Sequence, residues 1–444
     1  MAKNNHHTRG KAINRRQFIK KTAGTALGAI SFPYIIPSSA LGNAGNVAPS
    51  NRITMACIGV GSQGTGNMRS FLGKNEVQVL AVCDVDKINC GSAKSRVDEE
   101  YGNSDCKMYG DFREVIARDD IDTLSLAMPD HWHSIPAITG ARAGKDMYGE
   151  KPLARTIREG RAMSNAVNRY GVIWQTGSWQ RSVWNFHRAC ELVRNGRIGK
   201  VHKVEVGLPT GRGSNTKPIS PVPDNLDWNF WLGPAPWRAY QSFGRRGPHW
   251  DWRWVMDYSG GQLTDWAGHH IDIAHWALDL ERTGPVEIEG KGRYPKDGTY
   301  DVPTEYKFTC KYANGLTMVV ANDRQQPKGM GTMWYGDKGW IYVNRNNILE
   351  AEPKGILDER IGPDEIRLYE SNDHHQNFID CVKTRQQTIT PIEVAHRSIS
   401  VGLLGEIAML TERKLRWDPE KEIFPDDEEA SRLLSRPMRS PWHL

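Results

Sequence analysis

The feature that most constrains the fold is a glycine pattern placed between two apolar runs. Residues 52–59 (RITMACIG) have the composition of a short buried strand, and they lead into the six-residue loop 59–64 (GVGSQG), after which a helical stretch begins. A second apolar run, 77–84, ends in an aspartate. The order strand, glycine loop, helix, strand, acid is that of the first half of a dinucleotide-binding Rossmann fold. We therefore predict a parallel α/β sheet here.

Each glycine of this loop has a predicted task. Gly59 allows the tight turn, Gly61 lets the backbone approach a pyrophosphate, and Gly64 allows the helix to pack close to the strand. The start of the helix then offers unpaired N–H groups to the phosphates. The alternative is a glycine turn that binds nothing, which the flanking strand and helix disfavour. The predicted cofactor contacts are Gly59, Gly61, Ser62, Gln63 and Gly64.

The acid at the end of the second run indicates which dinucleotide is bound. Asp84 follows Gly64 by 20 residues, where a carboxylate can bind the hydroxyls of the adenosine ribose. The same carboxylate should repel the 2′-phosphate of NADP. We therefore predict NAD as the cofactor, with NADP disfavoured.

The remaining pattern predicts an α/β protein of two domains, as expected for 444 residues. Up to residue 176, apolar strands alternate with helices, which predicts a Rossmann domain over residues 51–176. Beyond it, alternating runs such as 306–312 predict an α+β domain with a mostly antiparallel open sheet, for substrate binding and oligomerisation, over residues 177–417. Residues 418–444 are predicted to be a surface tail.

The amino-terminal residues have the pattern of an export signal. Arg15 and Arg16 precede a short run rich in alanine and glycine, and small residues follow at positions 38–40. A basic start, a short apolar core and small residues are typical of a secretory signal, and paired arginines indicate the bacterial twin-arginine route. We predict a signal over residues 1–42, the twin-arginine machinery as a partner, and a periplasmic location. A basic disordered tail is the alternative.

Composition argues against several other classes of protein. The net charge is only +6 and the basic residues are scattered, which disfavours nucleic-acid binding. No segment reaches the roughly 20 apolar residues of a membrane span, so stable membrane insertion is not expected. The seven cysteines lack metal-ligand spacing and are predicted to be buried apolar residues. We predict no metal site.

Three further motifs carry a family resemblance. They are residues 129–133 (PDHWH), the triplet 150–152 (EKP) after a predicted strand, and residues 265–269 (DWAGH). With the glycine loop, they make the chain from Arg52 to about Trp417 resemble the Gfo/Idh/MocA oxidoreductases, named after glucose-fructose oxidoreductase and inositol dehydrogenase. The resemblance implies hydride transfer between a sugar or cyclic polyol and a nicotinamide.

The resemblance also implies roles for single residues. Lys151 polarises the reacting hydroxyl, Asp265 orients the substrate or His269, and His269 is the general base, for which a near-neutral pKa is suitable. Asp265 and His269, four residues apart, would share one helix face. The alternatives are a helix cap for Asp265 and a packed core histidine for His269. The implied further cofactor contacts are Pro129, His133, Glu150, Lys151 and Gln180.

One position departs from the family pattern. Members often carry asparagine where this chain has Asp130, so an extra carboxylate is expected near the nicotinamide.

Aromatic residues dominate the approach to Asp265. Residues 227–234 and 249–254 hold five tryptophans, whose faces would suit sugar rings, or which could pack the loop or a subunit interface. The predicted substrate contacts are Trp179, Arg181, His187, Trp252 and His270.

Three functions remain open on the sequence alone. The first is an NAD-dependent dehydrogenase for a sugar, glycoside or cyclic polyol. The second is an NAD-dependent glycosidase or lyase that oxidises its sugar transiently and retains the cofactor. The third is a non-catalytic sugar-binding protein on the same scaffold. A homo-oligomer, a dimer or tetramer, is expected in each case.

Overall fold

The computed structural model describes residues 51–241 and 247–444. The predicted twin-arginine signal, residues 1–42, lies outside the described residues. Within the described part of the chain, no helix combines the length and apolarity needed to cross a membrane. All seven cysteines are buried and unpaired.

The amino-terminal half contains a parallel sheet with helices on both faces. Its strands are β1 (Ile53–Ile58), β2 (Val77–Cys83), β3 (Lys107–Tyr109), β4 (Thr123–Leu126), β5 (Asp146–Gly149) and β6 (Trp174–Thr176). Its helices are α1 (Ser62–Leu72), α2 (Lys87–Tyr101), α3 (Phe112–Ile116), α4 (Ser134–Arg142) and α5 (Ile157–Tyr170), with a 3₁₀ turn at Asp130–Trp132. The strand order is β3-β2-β1-β4-β5-β6, with every pair parallel. The predicted Rossmann fold is confirmed.

The strand order explains where a ligand can bind. It reverses between β1 and β4, and ligands of such sheets bind in the crevice outside the carboxyl ends of the strands at that point. Gly59 follows β1, Ala127 follows β4, and Lys151 lies just beyond β5. All three therefore lie at one edge of the sheet.

The carboxyl-terminal half contains a larger sheet covered by helices. Its strands are β7 (Val201–Leu208), β8 (Glu287–Arg293), β9 (Glu305–Lys311), β10 (Thr317–Asn322), β11 (Gly331–Gly336), β12 (Gly339–Asn344), β13 (Ile348–Glu352) and β14 (Leu415–Arg416). Its helices are α6 (Trp184–Arg194), α7 (Trp228–Leu232), α8 (Pro248–Asp251), α9 (Gly261–Leu278), α10 (His374–Thr384), α11 (Ile392–Thr411) and α12 (Glu428–Arg432). Its 3₁₀ turns are Trp179–Ser182, Trp252–Trp254, Asp323–Gln325 and Lys354–Asp358.

The strand pairing confirms the predicted open sheet. The order is β13-β12-β11-β7-β10-β9-β8-β14, and of the described strand pairs in this second sheet only β7–β10 is parallel. In β9, buried Tyr306, Phe308 and Cys310 alternate with the exposed Glu305 and Lys307. Such alternation is typical of a sheet with one face on the core. Helices α9 and α11 pack on each other at that face, and α11 contacts β8 and β9.

One helix of the second half belongs structurally to the first. Phe378 and Ile379 of α10 lie in the same apolar core as Met55, Phe71 and Tyr148. The ring centroids of Phe71 and Phe378 are 5.9 Å apart. The predicted division of the chain at residue 176 therefore does not separate two independent cores.

The predicted surface tail over residues 418–444 is wrong. Phe424 and Leu434 are buried, and Trp442 packs edge-on against Trp132 with 4.7 Å between ring centroids. Arg436 donates from Nε to Glu159 at 2.7 Å. The segment's few apolar residues are separated by charged ones, so its average composition is polar even though these side chains reach the core.

Candidate active site

The glycine loop is shaped by close contacts that only glycine permits. Gly59 has φ +78°, and a Cβ atom there would lie 2.7 Å from the carbonyl oxygen of Ala127. A Cβ atom on Gly64 would lie 1.8 Å from the carbonyl oxygen of Gly59. Both glycines therefore bring helix α1 and strands β1 and β4 together more closely than any side chain would allow.

Gly61 differs, because the space beside it is open. A Cβ atom there would meet no protein atom within 4 Å, and Gly61 lines a cleft together with Ser62 and Gln63. No side chain caps the amino terminus of helix α1. Uncapped N–H groups facing a cleft form an anion site, so this geometry fits the pyrophosphate of a dinucleotide.

Asp84 lies at the other side of the same cleft. Its Oδ2 atom accepts from the backbone N–H of Val60 and its Oδ1 from that of Asp86, both at 2.9 Å. Burial raises the pKa of this carboxyl above its ordinary value. The carboxylate thus braces the glycine loop from the place where a ribose would lie.

A loop of the second domain reaches this end of the cleft. His249 Nε2 lies 2.9 Å from Asp86 Oδ2, and Asn225 Nδ2 donates to the same oxygen at 2.8 Å. Both His249 and Asp84 line the cleft. His249 was not among the predicted site residues, because only the tertiary fold brings it within reach of Asp86.

Glu150 connects the triplet 150–152 to the helix of the glycine loop. Its Oε1 atom accepts from Asn67 Nδ2 at 2.8 Å and from Gln63 Nε2 at 3.1 Å. The side chain is buried and lines the cleft. It therefore holds the start of helix α1 in position beside Lys151.

His133 and Pro129 shape the neighbouring wall. Pro129 lines the cleft, whereas His133 is buried behind it, with its ring nitrogens each 2.8 Å from a carbonyl oxygen, those of Met128 and Pro152. This arrangement gives His133 a positioning role: it ties together the backbone on both sides of the cleft.

Lys151 and Asp265 form the ion pair at the centre of the site. Lys151 Nζ lies 2.7 Å from Asp265 Oδ1 and 3.3 Å from the backbone oxygen of Asp265. Burial alone would raise the pKa of Asp265, but the positive charges of Lys151 and Arg253 outweigh it and hold that pKa below its ordinary value. Asp265 is therefore ionised at neutral pH.

Helix α9 places Asp265 and His269 one turn apart. The helix begins at Gly261, so Asp265 lies within its second turn and is not a helix cap. A Cβ atom on Gly268 would lie 3.3 Å from Lys151 Cβ. The glycine of this motif thus lets the helix approach the lysine closely.

The expected near-neutral pKa of His269 is wrong for this arrangement. Burial, and then the positive charge of Lys151, lower the pKa of His269 well below its ordinary value. Its Nδ1 atom is buried and has no hydrogen-bond partner among the described residues. The Gln180 amide satisfies its two neighbours when its nitrogen faces His269 and its oxygen faces Arg345. In this orientation Gln180 donates to the backbone oxygen of His269 at 3.2 Å. The imidazole is therefore neutral at neutral pH.

Arg181 does not occupy the predicted substrate position. Its side chain is only 2% exposed, and Nε and Nη2 donate to the two carboxylate oxygens of Asp272 at 2.7 and 2.8 Å. The guanidinium also lies 4.9 Å from the ring centroid of Trp276. Arg181 is thus held in a structural ion pair, and its interpretation as a substrate contact is corrected.

The two histidines predicted to bind substrate also lie away from the cleft. His270 is fully buried and stacks on Trp266, with ring centroids 5.7 Å apart. His187 Nε2 lies 3.4 Å from the backbone oxygen of Leu368. Neither lines the cleft. His270 is therefore a packed core histidine, and its interpretation as a substrate contact is corrected.

The tryptophans divide into packing and cleft residues. Trp228 and Trp231 stack with centroids 4.7 Å apart and belong to an apolar cluster with Tyr258. Trp231 and Trp252 also line the cleft. Trp179 is partly exposed, and its ring lies edge-on to that of His269. Of the two predicted aromatic substrate contacts, Trp252 thus lines the cleft and Trp179 lies beside helix α9.

Asp130 is buried at the wall of the cleft. Its Oδ2 atom accepts from Ser259 Oγ at 2.8 Å, and its buried Oδ1 has no hydrogen-bond partner among the described residues. Burial raises the pKa of Asp130 to about 6. The extra carboxylate noted in the sequence is therefore still mostly ionised at pH 7 and becomes neutral as the pH falls through about 6.

Two arginines complete the site and were missed by the sequence reasoning. Arg253 lines the cleft, with Nε 3.9 Å from Asp265 Oδ2. Arg345 is not among the residues that line the cleft, but it lies near enough for its charge to lower the pKa values of both Asp265 and His269. The tryptophans around Arg253 drew attention to that segment, but the sequence around Arg345 carries no signal.

The cleft as a whole extends from the glycine loop to Arg253, with Lys151 in its wall. Within residues 51–241 and 247–444, no group of three or more His, Cys, Asp or Glu residues is arranged to hold a metal ion.

Family comparisons cover the whole described chain. A family model described as the oxidoreductase family, NAD-binding Rossmann fold, matches residues 53–178. A second, described as the oxidoreductase family, C-terminal alpha/beta domain, matches residues 177–444, which includes the segment mistaken for a tail.

Individual relatives are more distant. The uncharacterized oxidoreductase YrbE of Bacillus subtilis is 24% identical over 284 residues, which are 63% of this chain and 70% of that protein. The alpha-N-acetylgalactosaminidase of Shewanella oneidensis is 27% identical over 161 residues, 33% of this chain and 35% of that protein. The match thus covers about a third of that glycosidase.

Solved structures share the fold. The WlbA dehydrogenase from Bordetella pertussis, in complex with NADH and UDP-GlcNAcA, is 16% identical and matches with a TM-score of 0.59. The match covers 83% of this chain and 99% of that one. At this identity the likeness shows the fold alone.

Proposed function

Because this chain belongs to the Gfo/Idh/MocA oxidoreductase family, we propose that it uses NAD to oxidise a hydroxyl-bearing carbon of a sugar, glycoside or cyclic polyol. The observation that carries the proposal is the 2.7 Å ion pair between Lys151, which lines the cleft, and Asp265, which lies beside it. A lysine held there can donate a hydrogen bond to an oxygen that gains negative charge during oxidation.

The residues of the cleft fit a nicotinamide dinucleotide. The open space at Gly61 and the uncapped start of helix α1 suit the pyrophosphate, and Asp84 is placed for the ribose hydroxyls. The negative charge of Asp84 favours NAD over NADP. Bound NAD would supply the hydride acceptor for the substrate carbon.

The chain's own residues handle the proton. In the proposed mechanism Lys151 stays charged, orients the substrate hydroxyl and stabilises the developing alkoxide. Asp265 holds the ammonium group in place through Oδ1. Neutral His269 accepts the hydroxyl proton, which its lowered pKa permits because the ring is unprotonated before the reaction.

The first test is a panel of sugars and polyols with the purified protein and NAD, read at the absorbance of reduced nicotinamide. We expect NADH formation with at least one substrate and its loss in Lys151→Ala. Denaturing the purified protein and assaying the supernatant for NAD(H) shows whether the cofactor is retained. A Lys151→Ala variant with unchanged turnover would contradict the proposed role of Lys151. Sugar binding by the wild type with neither NADH formation nor glycoside cleavage would support the non-catalytic alternative.

A glycosidase is the second candidate. It is favoured by the likeness of a third of the chain to the alpha-N-acetylgalactosaminidase. Transient oxidation of the sugar beside Lys151 by bound NAD, elimination of the aglycone, addition of water and re-reduction of the sugar would use the same site and would need no added NAD. Release of free sugar from an aryl glycoside without NADH accumulation would identify this activity.

We also propose that the protein is exported by the twin-arginine route and acts in the periplasm as a homo-oligomer. Arg15 and Arg16 support the first part, since this route suits an enzyme that folds around its cofactor before export. Cell fractionation of the wild type and of a variant with both arginines changed to lysine tests the location. Light scattering of the purified protein tests the oligomer.

A further inference from the structure

Arg253 and Arg345 converge on Asp265, and the proposed reaction uses neither of them. Arg253 belongs to the 3₁₀ turn Trp252–Trp254, and its guanidinium carbon lies 4.7 and 4.4 Å from the ring centroids of Trp250 and Trp252. A guanidinium on aromatic faces is stabilised by cation–π attraction and keeps its planar donors oriented.

Arg345 is presented by a rigid hairpin. It follows strand β12, and the turn to β13 is made by Asn346 and Asn347, whose φ angles are +61° and +59°. Two consecutive left-handed residues are typical of a tight hairpin turn, for which asparagine is well suited. Asn185 Nδ2 donates to the backbone oxygens of Asn344 and Ile348 at 2.8 and 3.0 Å and so fixes the hairpin to helix α6.

The Arg345 side chain lies against two more tryptophans. Its guanidinium carbon is 4.7 Å from the ring centroid of Trp179 and 4.2 Å from that of Trp266. With the Gln180 amide oriented as above, Nε of Arg345 donates to Gln180 at 3.1 Å. Among the described residues, no carboxylate accepts a hydrogen bond from Arg345, so its terminal donors remain for a ligand.

The charges around Asp265 do not balance. Lys151, Arg253 and Arg345 bring three positive charges to one ionised carboxylate. Asp130 is the other carboxylate near Arg253, and its charge is stabilised by the hydrogen bond from Ser259. Even with Asp130 ionised, the three cations outnumber the two carboxylates. By contrast, buried Arg181 is fully paired with Asp272. An excess of half-buried cations is costly unless an anion joins them.

We propose that Arg253 and Arg345 bind an anionic group of the substrate, so that the substrate is a sugar acid or sugar phosphate rather than a neutral sugar. The inference rests on the proposed function of the Lys151 site. A guanidinium pairs well with either a carboxylate or a phosphate, and the stacked tryptophans offer apolar faces to the ring.

An anion bound at Arg345 would also affect the pKa of His269, the proposed general base. Arg345 is one of the charges that lower the pKa of His269. A substrate carboxylate or phosphate there would offset that charge and raise the pKa of His269 toward the range in which it removes a proton effectively. Substrate charge and proton transfer would thereby be coupled.

The test compares matched sugars on the NAD-loaded enzyme: galactose, galacturonate and galactose 6-phosphate, with the glucose series alongside. We expect the acid or phosphate to exceed the neutral sugar in kcat/KM, and this ratio to fall about tenfold to a hundredfold in Arg345→Ala and Arg253→Ala. Arg345→Lys should recover only part of the preference for the anionic sugar, because an ammonium group lacks the planar, paired donors of a guanidinium. The carboxylate and phosphate arms identify which anion is bound.

Arg212→Ala is the matched control. Arg212 also stacks on a tryptophan, 4.9 Å from the centroid of Trp254, but it is exposed and is not among the charges that lower the pKa values of Asp265 and His269. Its loss should leave the ratio unchanged. Calorimetric binding of the same sugars to the NAD-loaded protein should show the same preference, and NAD affinity should be unchanged in Arg345→Ala.

The outcomes separate this inference from the proposed function. Turnover of neutral sugars with no preference for anionic ones overturns the inference and leaves the oxidoreductase intact. Anion-dependent binding without any hydride transfer supports the inference and contradicts the proposed function. Loss of NAD affinity as large as the loss of substrate preference would assign the arginines to the cofactor and overturn the inference.

Discussion

Lys151 Nζ lies 2.7 Å from Asp265 Oδ1, although 114 residues separate the two in the chain. Lys151 follows a strand of the parallel sheet, and Asp265 lies on helix α9 of the second half. The ion pair therefore joins the two halves of the protein at the end of the cofactor cleft. Its geometry depends on both sheets being correctly assembled.

Replacing Lys151 by alanine removes the donor that would stabilise a developing alkoxide. We expect kcat/KM to fall by about a hundredfold to a thousandfold, with NAD affinity little changed. Steady-state kinetics and calorimetry measure the two quantities. Lys421→Ala, at an exposed lysine, is the control and should match the wild type.

Gly61→Ala should weaken cofactor binding without unfolding the protein. A Cβ atom at Gly61 meets no protein atom but points into space reserved for the pyrophosphate, so we expect the Kd for NAD to rise by about tenfold or more. Gly66→Ala, also in open space on helix α1, should leave NAD affinity unchanged and gain up to about 1 kcal/mol of stability. Equal NAD affinity in both variants would contradict the proposed role of Gly61.

Local patterns predicted the cofactor loop well. The glycines and Asp84 are close in sequence, and strand–loop–helix geometry determines where they lie. The contacts of His249 with Asp86 and of Arg345 with Trp266 depend on long-range folding, and no local spacing indicates them. Arg181 shows the opposite error, since it was predicted to contact substrate and its pairing with Asp272 was not foreseen.

The pKa of His269 and the carboxyl-terminal segment were misjudged for physical reasons. Sequence shows a histidine but not the burial and neighbouring charge that lower its pKa. Composition likewise averages over residues 418–444, where a few apolar side chains such as Leu434 reach the core among many exposed polar ones.

Asp84→Asn should relax the choice of cofactor. Asparagine retains an oxygen for the N–H of Val60 but removes the negative charge that repels a 2′-phosphate. We expect the ratio of kcat/KM with NAD to that with NADP to fall by about tenfold or more. An unchanged ratio would show that another residue selects the cofactor.

Asp130→Asn should change how stability depends on pH. Burial raises the pKa of Asp130 from 3.8 to about 6, so the folded state binds this proton more tightly than the unfolded chain. Its contribution to stability is therefore lost as pH rises through this range. Relative to the variant, the wild type should lose roughly 2–3 kcal/mol of unfolding free energy between about pH 4 and pH 7, measured by urea denaturation. A constant difference would contradict the raised pKa.

Arg181→Met tests the structural ion pair. Removing one partner leaves Asp272 buried without its cation, and we expect a loss of about 3–5 kcal/mol in unfolding free energy. Arg345→Met, which breaks no ion pair among the described residues, should cost far less. Unchanged stability in Arg181→Met together with a raised KM would restore Arg181 as a substrate contact.

The most direct test of the account follows one hydrogen atom. The protein is given a substrate deuterated at the carbon that it oxidises. The nicotinamide dinucleotide is then released by denaturation, and its mass is measured by mass spectrometry. The account predicts deuterium in the nicotinamide with the wild type and its absence with Lys151→Ala. Product formation by the wild type with no deuterium in the nicotinamide would contradict it.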